Sequence, residues 1–500
     1  MKIEIVSRDE RFDLSVNPGH RLLDYIQDAE IPINAACGGV GSCTKCRIKV
    51  SEGFLSVGKS DQKAFSKAEL DEGWRLSCQA VPRTKLCCVV PDVESLKAKP
   101  RLVIHEESLT PEVLQSEELY LACDVGSTGV VLAIGTKDKK ILAEAHLLNR
   151  QVRFGADVMT RLKFAQDKGV ELLNAKLIES LEMCITSLKE VVPDLYIKAA
   201  LGGLYCSGNS ALISFLHNWN VSSLAVYPFQ PLHKEAFEGF SDKLEIPIKS
   251  LPLLGGFVGA DTYAGVLYLE KTLKDSQPWM LVDIGTNTEI VIKNKKGEFY
   301  FSSAPAGPAF EGGNITHGMR AEPGAIAHAK YKNKTWTLET IGMDKPRGIC
   351  GSGLLDVLKE SIHSGLIQKD GFVPEGRVYL TENIMISADD VREFQLAKSA
   401  TRTACDLLIE RAGTKPAHIY MAGAFAEHLD KDSIKATGLL PPGIKMQSIG
   451  NTSLLGTLLY ASMSEEERNS FNTQLLSQLH PIELALQDDF QDAFVKNLDF

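Results

Sequence analysis

Four cysteines constrain this chain more than any other residues: Cys37, Cys43 and Cys46, spaced C-x5-C-x2-C, and Cys78 thirty-two positions further on. A fold that gathers them must return a distant segment to one loop, AACGGVGSCTKC. Thiolate is a soft ligand, and four of them suit a [2Fe–2S] centre, the fourth commonly arriving from a remote strand. Zinc sites usually pair their cysteines in two short arms, unlike three from one loop and one from far away. Gly38, Gly39 and Gly41 let that loop turn tightly and aim N–H groups at cluster sulfur. The four cysteines are therefore read as iron–sulfur ligands, ahead of zinc or plain structural thiols.

The rest of the composition limits the setting. At 500 residues the chain exceeds one ordinary core, and 44% hydrophobic with 24% charged residues is globular. A net charge of −10 argues against a nucleic-acid partner. No stretch approaches the ~20 apolar residues that span a bilayer, and no export signal opens the chain. Eleven cysteines without such a signal point to the reducing cytoplasm. The other seven lack ligand spacing; Cys87 and Cys88 sit in LCCVV as strand residues.

Residues 1–90 read as a small mixed domain. MKIEIV and RFDLSV alternate as strands, RLLDYIQDAE is an amphipathic helix, and strands IKVSEG and WRLSCQAVP follow the cysteine loop. This order resembles the β-grasp ferredoxins, with a spacing nearer the adrenodoxin-like branch than the plant one. Residues 91–117 are charged and proline-punctuated, a linker with one short strand at RLVIH. From 118 to 500 strands alternate with helices, an α/β pattern. Two apolar strands there run into an Asp-x-Gly turn and out into another apolar strand, at LYLACDVGSTGVVLAIGT and WMLVDIGTNTEIVIKN. The pair suggests an internal duplication.

A phosphate-binding turn needs backbone N–H groups free to face oxygen, hence glycine, and small hydroxyls that add donors without bulk. Gly126, Ser127 and Thr128 supply this in the first hairpin, and Gly285, Thr286 and Asn287 in the second. Asp124 and Asp283 stand at the strand ends, where a carboxylate holds Mg²⁺ through water or orients an attacking water. The bland alternative is a pair of structural turn caps. Three further segments argue otherwise. In order, DVGSTG, GGFVGADTYAG, DIGTNTE, IYMAGAFAEHL and GNTSLLGTLLYA resemble the five elements of the actin, sugar-kinase and heat-shock (ASKHA) ATPases. The resemblance implies ATP and Mg²⁺, with Asp261 in the connecting helix near a Mg²⁺-bound water and Gly423 and Ala424 against the nucleoside. It also places Glu311 near a ribose hydroxyl. His317 and Arg320 are read as structural donors, and Asn209 as either a phosphate ligand or a turn residue.

A four-cysteine ferredoxin ahead of such an ATPase resembles the reductive activators of corrinoid proteins, which serve methyltransferase systems of anaerobic metabolism. FGADVMTR, SAPAGPAFEGGNITHGMRAEPGAI, GICGSG and QLAKSATRTA match that family too. The resemblance implies ATP-dependent, one-electron reduction of a Co(II) corrinoid protein to Co(I). It covers residues 1–95 and 118–460; the additional small domain that members can carry between ferredoxin and ATPase is not expected in a linker of about 27 residues. A homodimer is left open, and no motif specifies the upstream electron donor. Two alternatives share parts of the pattern. A small-molecule kinase would use the hairpins but not the ferredoxin, and an activator of a radical dehydratase would use a [4Fe–4S] cluster held by fewer cysteines per chain.

Overall fold

The computed structural model describes all residues except 1, 8, 9, 16, 18, 36, 42, 92–97, 116, 117, 275 and 276, and the side chains of 114, 424 and 485. The chain divides into two compact units, residues 1–260 and 261–500.

The first unit opens with a five-stranded sheet in the order Glu10–Ser15, Lys2–Ser7, Leu86–Val90, Arg47–Glu52, Trp74–Leu76. Lys2–Ser7 and Leu86–Val90 run parallel; the other neighbours are antiparallel. Period-2 alternation turns Ile3 and Ile5 inward onto Leu22, Leu23 and Ile26 of helix Leu22–Asp28. Two buried charges pin the strand that leads to Cys78. Arg75 donates to the carbonyls of Leu55, Leu70 and Trp74 at 2.7–3.1 Å, and Asp61 accepts from the amides of Leu76 and Gly58 at 2.8 and 2.7 Å. Fully paired, these groups specify register without the penalty of an orphaned charge.

The same unit holds a seven-stranded sheet, ordered Phe237–Ser241, Ile246–Ser250, Leu204–Gly208, Leu119–Val125, Gly129–Thr136, Ile141–Leu148, Arg101–Ile104. Leu119–Val125 is buried on both faces, which explains its nearly unbroken apolar run. The strand anticipated at RLVIH is the edge of this sheet, antiparallel to Ile141–Leu148.

The second unit repeats the plan. Its six-stranded sheet is ordered Lys445–Ser448, His418–Ala422, Trp279–Ile284, Thr288–Lys293, Phe299–Ala304, Leu479–Pro481. In both sheets an antiparallel hairpin and a third antiparallel strand lie on one side, and parallel strands flank the hairpin's first strand on the other. The 24-residue helix Ala388–Arg411 starts in a capping box of Ser387 and Asp390 and packs Phe394 against Phe310. The last 35 residues add a parallel strand beside Phe299–Ala304. They also seat Leu498 and Phe500 on Gln395 and Lys369. Among the described residues no helix is long and apolar enough to cross a membrane.

His217 carries a testable consequence. Its ring stacks on Trp219 at 4.8 Å, meets Phe237 edge-on and bonds to Ser250 Oγ. Burial, then the nearby His233, lowers its pKa from 6.5 to about 4. Below pH 6.5 the unfolded chain binds a proton that the folded chain refuses, so this contribution is present above 6.5 and lost as pH falls toward 4. In urea titrations, the stability difference between wild type and His217→Gln is expected to narrow by about 2 kcal/mol from pH 7 to pH 4.5. A constant difference would contradict the assignment.

Candidate functional site

The antiparallel pairing of Arg47 with Leu76 sets Cys46 and Cys78 side by side, with Ser77 N donating to Cys46 O at 2.9 Å. The Cys46 and Cys78 thiols perturb each other's pKa values, and the Cys37 thiol raises that of Cys43. Cys37 acts electrostatically on the other three, so all four converge. The contact with Cys78 lowers the Cys46 thiol to about 7 and raises Cys78. Gly41 N donates to Cys37 Sγ at 3.3 Å, and Gln79 Nε2 to Cys78 Sγ at 3.6 Å. Gln79 Nε2 and Arg21 Nη1 also hold the Gly39 carbonyl, at 3.3 and 3.4 Å. Among the described residues no three or more His, Cys, Asp or Glu side chains are arranged around a single metal ion. Two thiol pairs are the kind of donor set that a binuclear cluster takes, one pair for each iron.

The first Asp-x-Gly hairpin closes through Gly126 N to Gly129 O at 2.9 Å. A Cβ at Gly126 would stand 2.6 Å from that carbonyl, so no other residue fits. Asp124 lies at the end of Leu119–Val125, half-buried and paired with Val131. The carbonyls of the turn are held from behind. Asn149, fully buried, donates from Nδ2 to Gly126 O and from its amide to Thr128 O, both at 2.9 Å. Arg161, also fully buried, donates to Ser127 O at 2.5 Å.

The second hairpin closes through Gly285 N to Asn287 O at 3.0 Å, and its Thr286 carbonyl accepts from Gly307 N at 2.9 Å. Thr286 Oγ1 donates to Glu311 Oε1 at 2.6 Å. Asp283 is paired with Glu289 across the hairpin and with Ala422 on the parallel strand. Gly423 follows with φ 87°, and a Cβ there would stand 2.7 Å from Asp283 Oδ1. The left-handed turn and the close carboxylate both require glycine. Asp261, in the first turn of helix Ala260–Thr272, accepts from Thr262 N at 2.7 Å. That helix meets helix Thr452–Ser462 backbone to backbone, since a Cβ at Gly456 would fall 2.0 Å from Ala264 O.

Of the expected residues, the first unit thus groups Asp124, Gly126, Ser127 and Thr128, and separately the four cysteines. The second groups Asp283, Gly285, Thr286, Asn287, Glu311, Asp261 and Gly423; the side chain of Ala424 lies outside the described residues. Asn209 is a helix cap: it accepts from Ala211 N at 3.0 Å and donates to Phe257 O at 2.8 Å. His317 bonds to the Met385 backbone. Three residues escaped the sequence reading. Asn149 and Arg161 support the first turn, and Glu289 stands beside Asp261 and Asp283. Desolvation, then those two carboxylates, push Glu289 well above the usual carboxylate range, with Ser303 Oγ 3.2 Å away. Glu289 and Arg161 sit inside DIGTNTE and FGADVMTR, so motif membership was the available signal.

Comparison with known proteins agrees with this layout. Residues 5–83 match the 2Fe-2S iron-sulfur cluster binding domain, 119–273 the RACo middle region, and 277–500 the C-terminal ASKHA domain of RACo. The corrinoid activation enzyme RamQ of Eubacterium limosum is 29% identical, over 98% of this chain and 97% of its own. The [Co(II) methylated amine-specific corrinoid protein] reductase of Methanosarcina barkeri is 26% identical, over 67% and 68%. A solved reductive activator for corrinoid, iron-sulfur protein shares the fold over 100% of this chain and 98% of that one, at TM-score 0.66 and 21% identity. The chain belongs to the family of reductive activators of corrinoid proteins, with a [2Fe–2S] ferredoxin domain followed by an actin-like ASKHA ATPase domain.

Proposed function

We propose that the protein is an ATP-hydrolysing iron–sulfur reductase that converts the inactive Co(II) form of a partner corrinoid protein to Co(I), one electron per event. The observation that carries this reading is one chain that sets three loop cysteines near Cys78 and also holds a duplicated Asp-x-Gly hairpin. Residues 1–90 form the electron-carrying domain, 91–117 the linker and 118–500 the ATPase. Cys37, Cys43, Cys46 and Cys78 hold the [2Fe–2S] cluster, which when bound supplies a one-electron carrier. Gly41 N and Gln79 Nε2 donate to cysteine sulfur and so tune it.

Ser127 and Thr128, and Thr286 and Asn287, bind the phosphates of ATP through backbone amides and side chains, on turns that Gly126 and Gly285 line and close. Asp124 and Asp283 orient Mg²⁺-bound or attacking water, and Asp261 assists. Burial beside Asp261 and Asp283 raises the affinity of Glu289 for a proton, which disfavours a third full charge there. Gly423 and Ala424 face the nucleoside and Glu311 its ribose. The protein works in the cytoplasm, where its cysteines remain thiols.

ATP is needed because plant-type clusters work at roughly −400 mV and the Co(II)/Co(I) couple lies below comfortable donors. Each ~59 mV uphill costs a factor of ten for one electron. Nucleotide binding lifts that barrier only by favouring one state of the protein and its partner over another.

Three outcomes follow. With a Co(II) corrinoid protein, reconstituted enzyme and a chemical reductant under anaerobic conditions, the Co(I) absorption band is expected to grow only after ATP is added. Asp283→Ala is expected to slow that growth by about 10²-fold or more while leaving reduction of the cluster intact. Equal rates with and without ATP would overturn the reading. Cys78→Ser is expected to lose the visible absorption and EPR signal of the cluster while retaining nucleotide binding; an unchanged EPR signal would remove Cys78 from the ligand set.

A further inference from the structure

Two adjacent residues of one helix touch both working parts of the first unit. Helix Val158–Lys168 begins at Asp157, whose carboxylate accepts from Thr160 N and Thr160 Oγ1, each at 2.8 Å. Those two bonds fix the Thr160 side chain, and its methyl lies against the cluster loop: a Cβ at Gly38 would stand 2.3 Å from Thr160 Cγ2. Arg161 reaches the phosphate turn instead. Its guanidinium donates to Ser127 O, to Gly155 O at 2.9 Å and to Gln151 Oε1 at 3.2 Å. Gln151 Oε1 also meets Asn149 Nδ2, the donor to Gly126 O. The ferredoxin helix sits on the same segment through Gln27 Nε2 to Arg153 O at 3.1 Å, with ion pairs Lys168–Asp28 and Lys176–Glu30 beside it.

Resting on the ATP and cluster assignments above, we propose that Thr160 and Arg161 link nucleotide occupancy of the Asp124 turn to the surroundings of the iron–sulfur cluster. A bound polyanion draws the amides of Ser127 and Thr128 toward it, and the Ser127 carbonyl carries Arg161 along. Close-packed interiors transmit such a shift rather than absorb it. Thr160 moves with its neighbour and presses on Gly38, which has no side chain to yield. Cys37 precedes Gly38, and Gly41 N donates to Cys37 Sγ, so the sulfur hydrogen bonding that sets cluster potential changes. Thr160 is thus a positioning residue for the cluster, and Arg161 for the phosphate turn. Linkage is reciprocal: adding one electron to the cluster from a chemical reductant must alter nucleotide affinity by the same factor.

The test uses the full reconstituted chain and a non-hydrolysable ATP analogue. Two quantities are read: the EPR spectrum of the dithionite-reduced cluster with and without analogue, and the analogue Kd in oxidised and reduced protein. In wild type the spectrum is expected to change on binding, and the two Kd values to differ by about fivefold or more. Thr160→Ser keeps the hydroxyl bond to Asp157 and deletes only the methyl. It is expected to retain cluster content and the oxidised-state Kd while losing most of both differences. Lys168→Met breaks the ion pair to Asp28, leaves Thr160 in place and is expected to keep both. The link is overturned if Thr160→Ser responds as fully as wild type, or if Lys168→Met loses the response equally, which would assign it to docking of the whole ferredoxin. It is also overturned if wild-type protein binds analogue with an unresponsive cluster. Wild-type protein that binds no analogue, or holds no cluster, would sink the functional reading itself and the link with it.

Discussion

A peptide turn is set to present its N–H groups to a phosphate when its carbonyls are engaged behind it. Both hairpins of this protein obey that constraint. Gly129 O and Asn287 O are used to close the turns, and Gly126 O, Ser127 O and Thr128 O in the first and Thr286 O in the second are bound from behind. In the first unit this duty falls to Asn149 and Arg161, two buried donors whose other hydrogen bonds are also made within the protein. In the second it falls to Gly307, with Glu311 orienting the Thr286 hydroxyl. The parallel strands Leu204–Gly208 and His418–Ala422 then bring a second chain end alongside each carboxylate. At Asp283 the approach is close enough that only Gly423 can occupy the position.

The cluster domain solves a different problem with similar economy of backbone. Its loop is irregular, so its geometry cannot come from a ladder. Anchors outside the loop supply it: Arg75 and Asp61 hold the strand before Cys78, and Arg21 and Gln79 hold the Gly39 carbonyl. The sulfur pairs therefore form on rigid supports.

Much of this was legible in the amino-acid sequence. The cysteine spacing and the two Asp-x-Gly hairpins declare themselves because each is a local pattern of chemically distinctive residues. The alternation of MKIEIV and the doubly buried run LYLACDV likewise marks strands by burial on one face or two. What stayed hidden depends on partners far along the chain. Nothing local distinguishes Asn149 from any other loop asparagine, and the place of Arg161 in FGADVMTR gives it no role until its target carbonyls are known. Glu289 required the cross-strand pairing with Asp283 to be counted out. Leu479–Pro481 is three residues long and ends in proline, so it carries no strand pattern, yet it completes a sheet edge. Asn209 left two readings open, and its bonds to Ala211 and Phe257 make it a cap.

The seat of the ferredoxin on residues 153–176 has a consequence of another kind. Two of its ties, Lys168–Asp28 and Lys176–Glu30, are ion pairs with at least one well-exposed partner, while Gln27 contributes one neutral hydrogen bond. Exposed charge pairs contribute little each and weaken once the Debye length shrinks to a few ångströms. Ionic strength is therefore a natural handle on this seat. Dilute buffer strengthens these two ties between the ferredoxin domain and residues 153–176, and concentrated salt weakens them without touching either hydrophobic core.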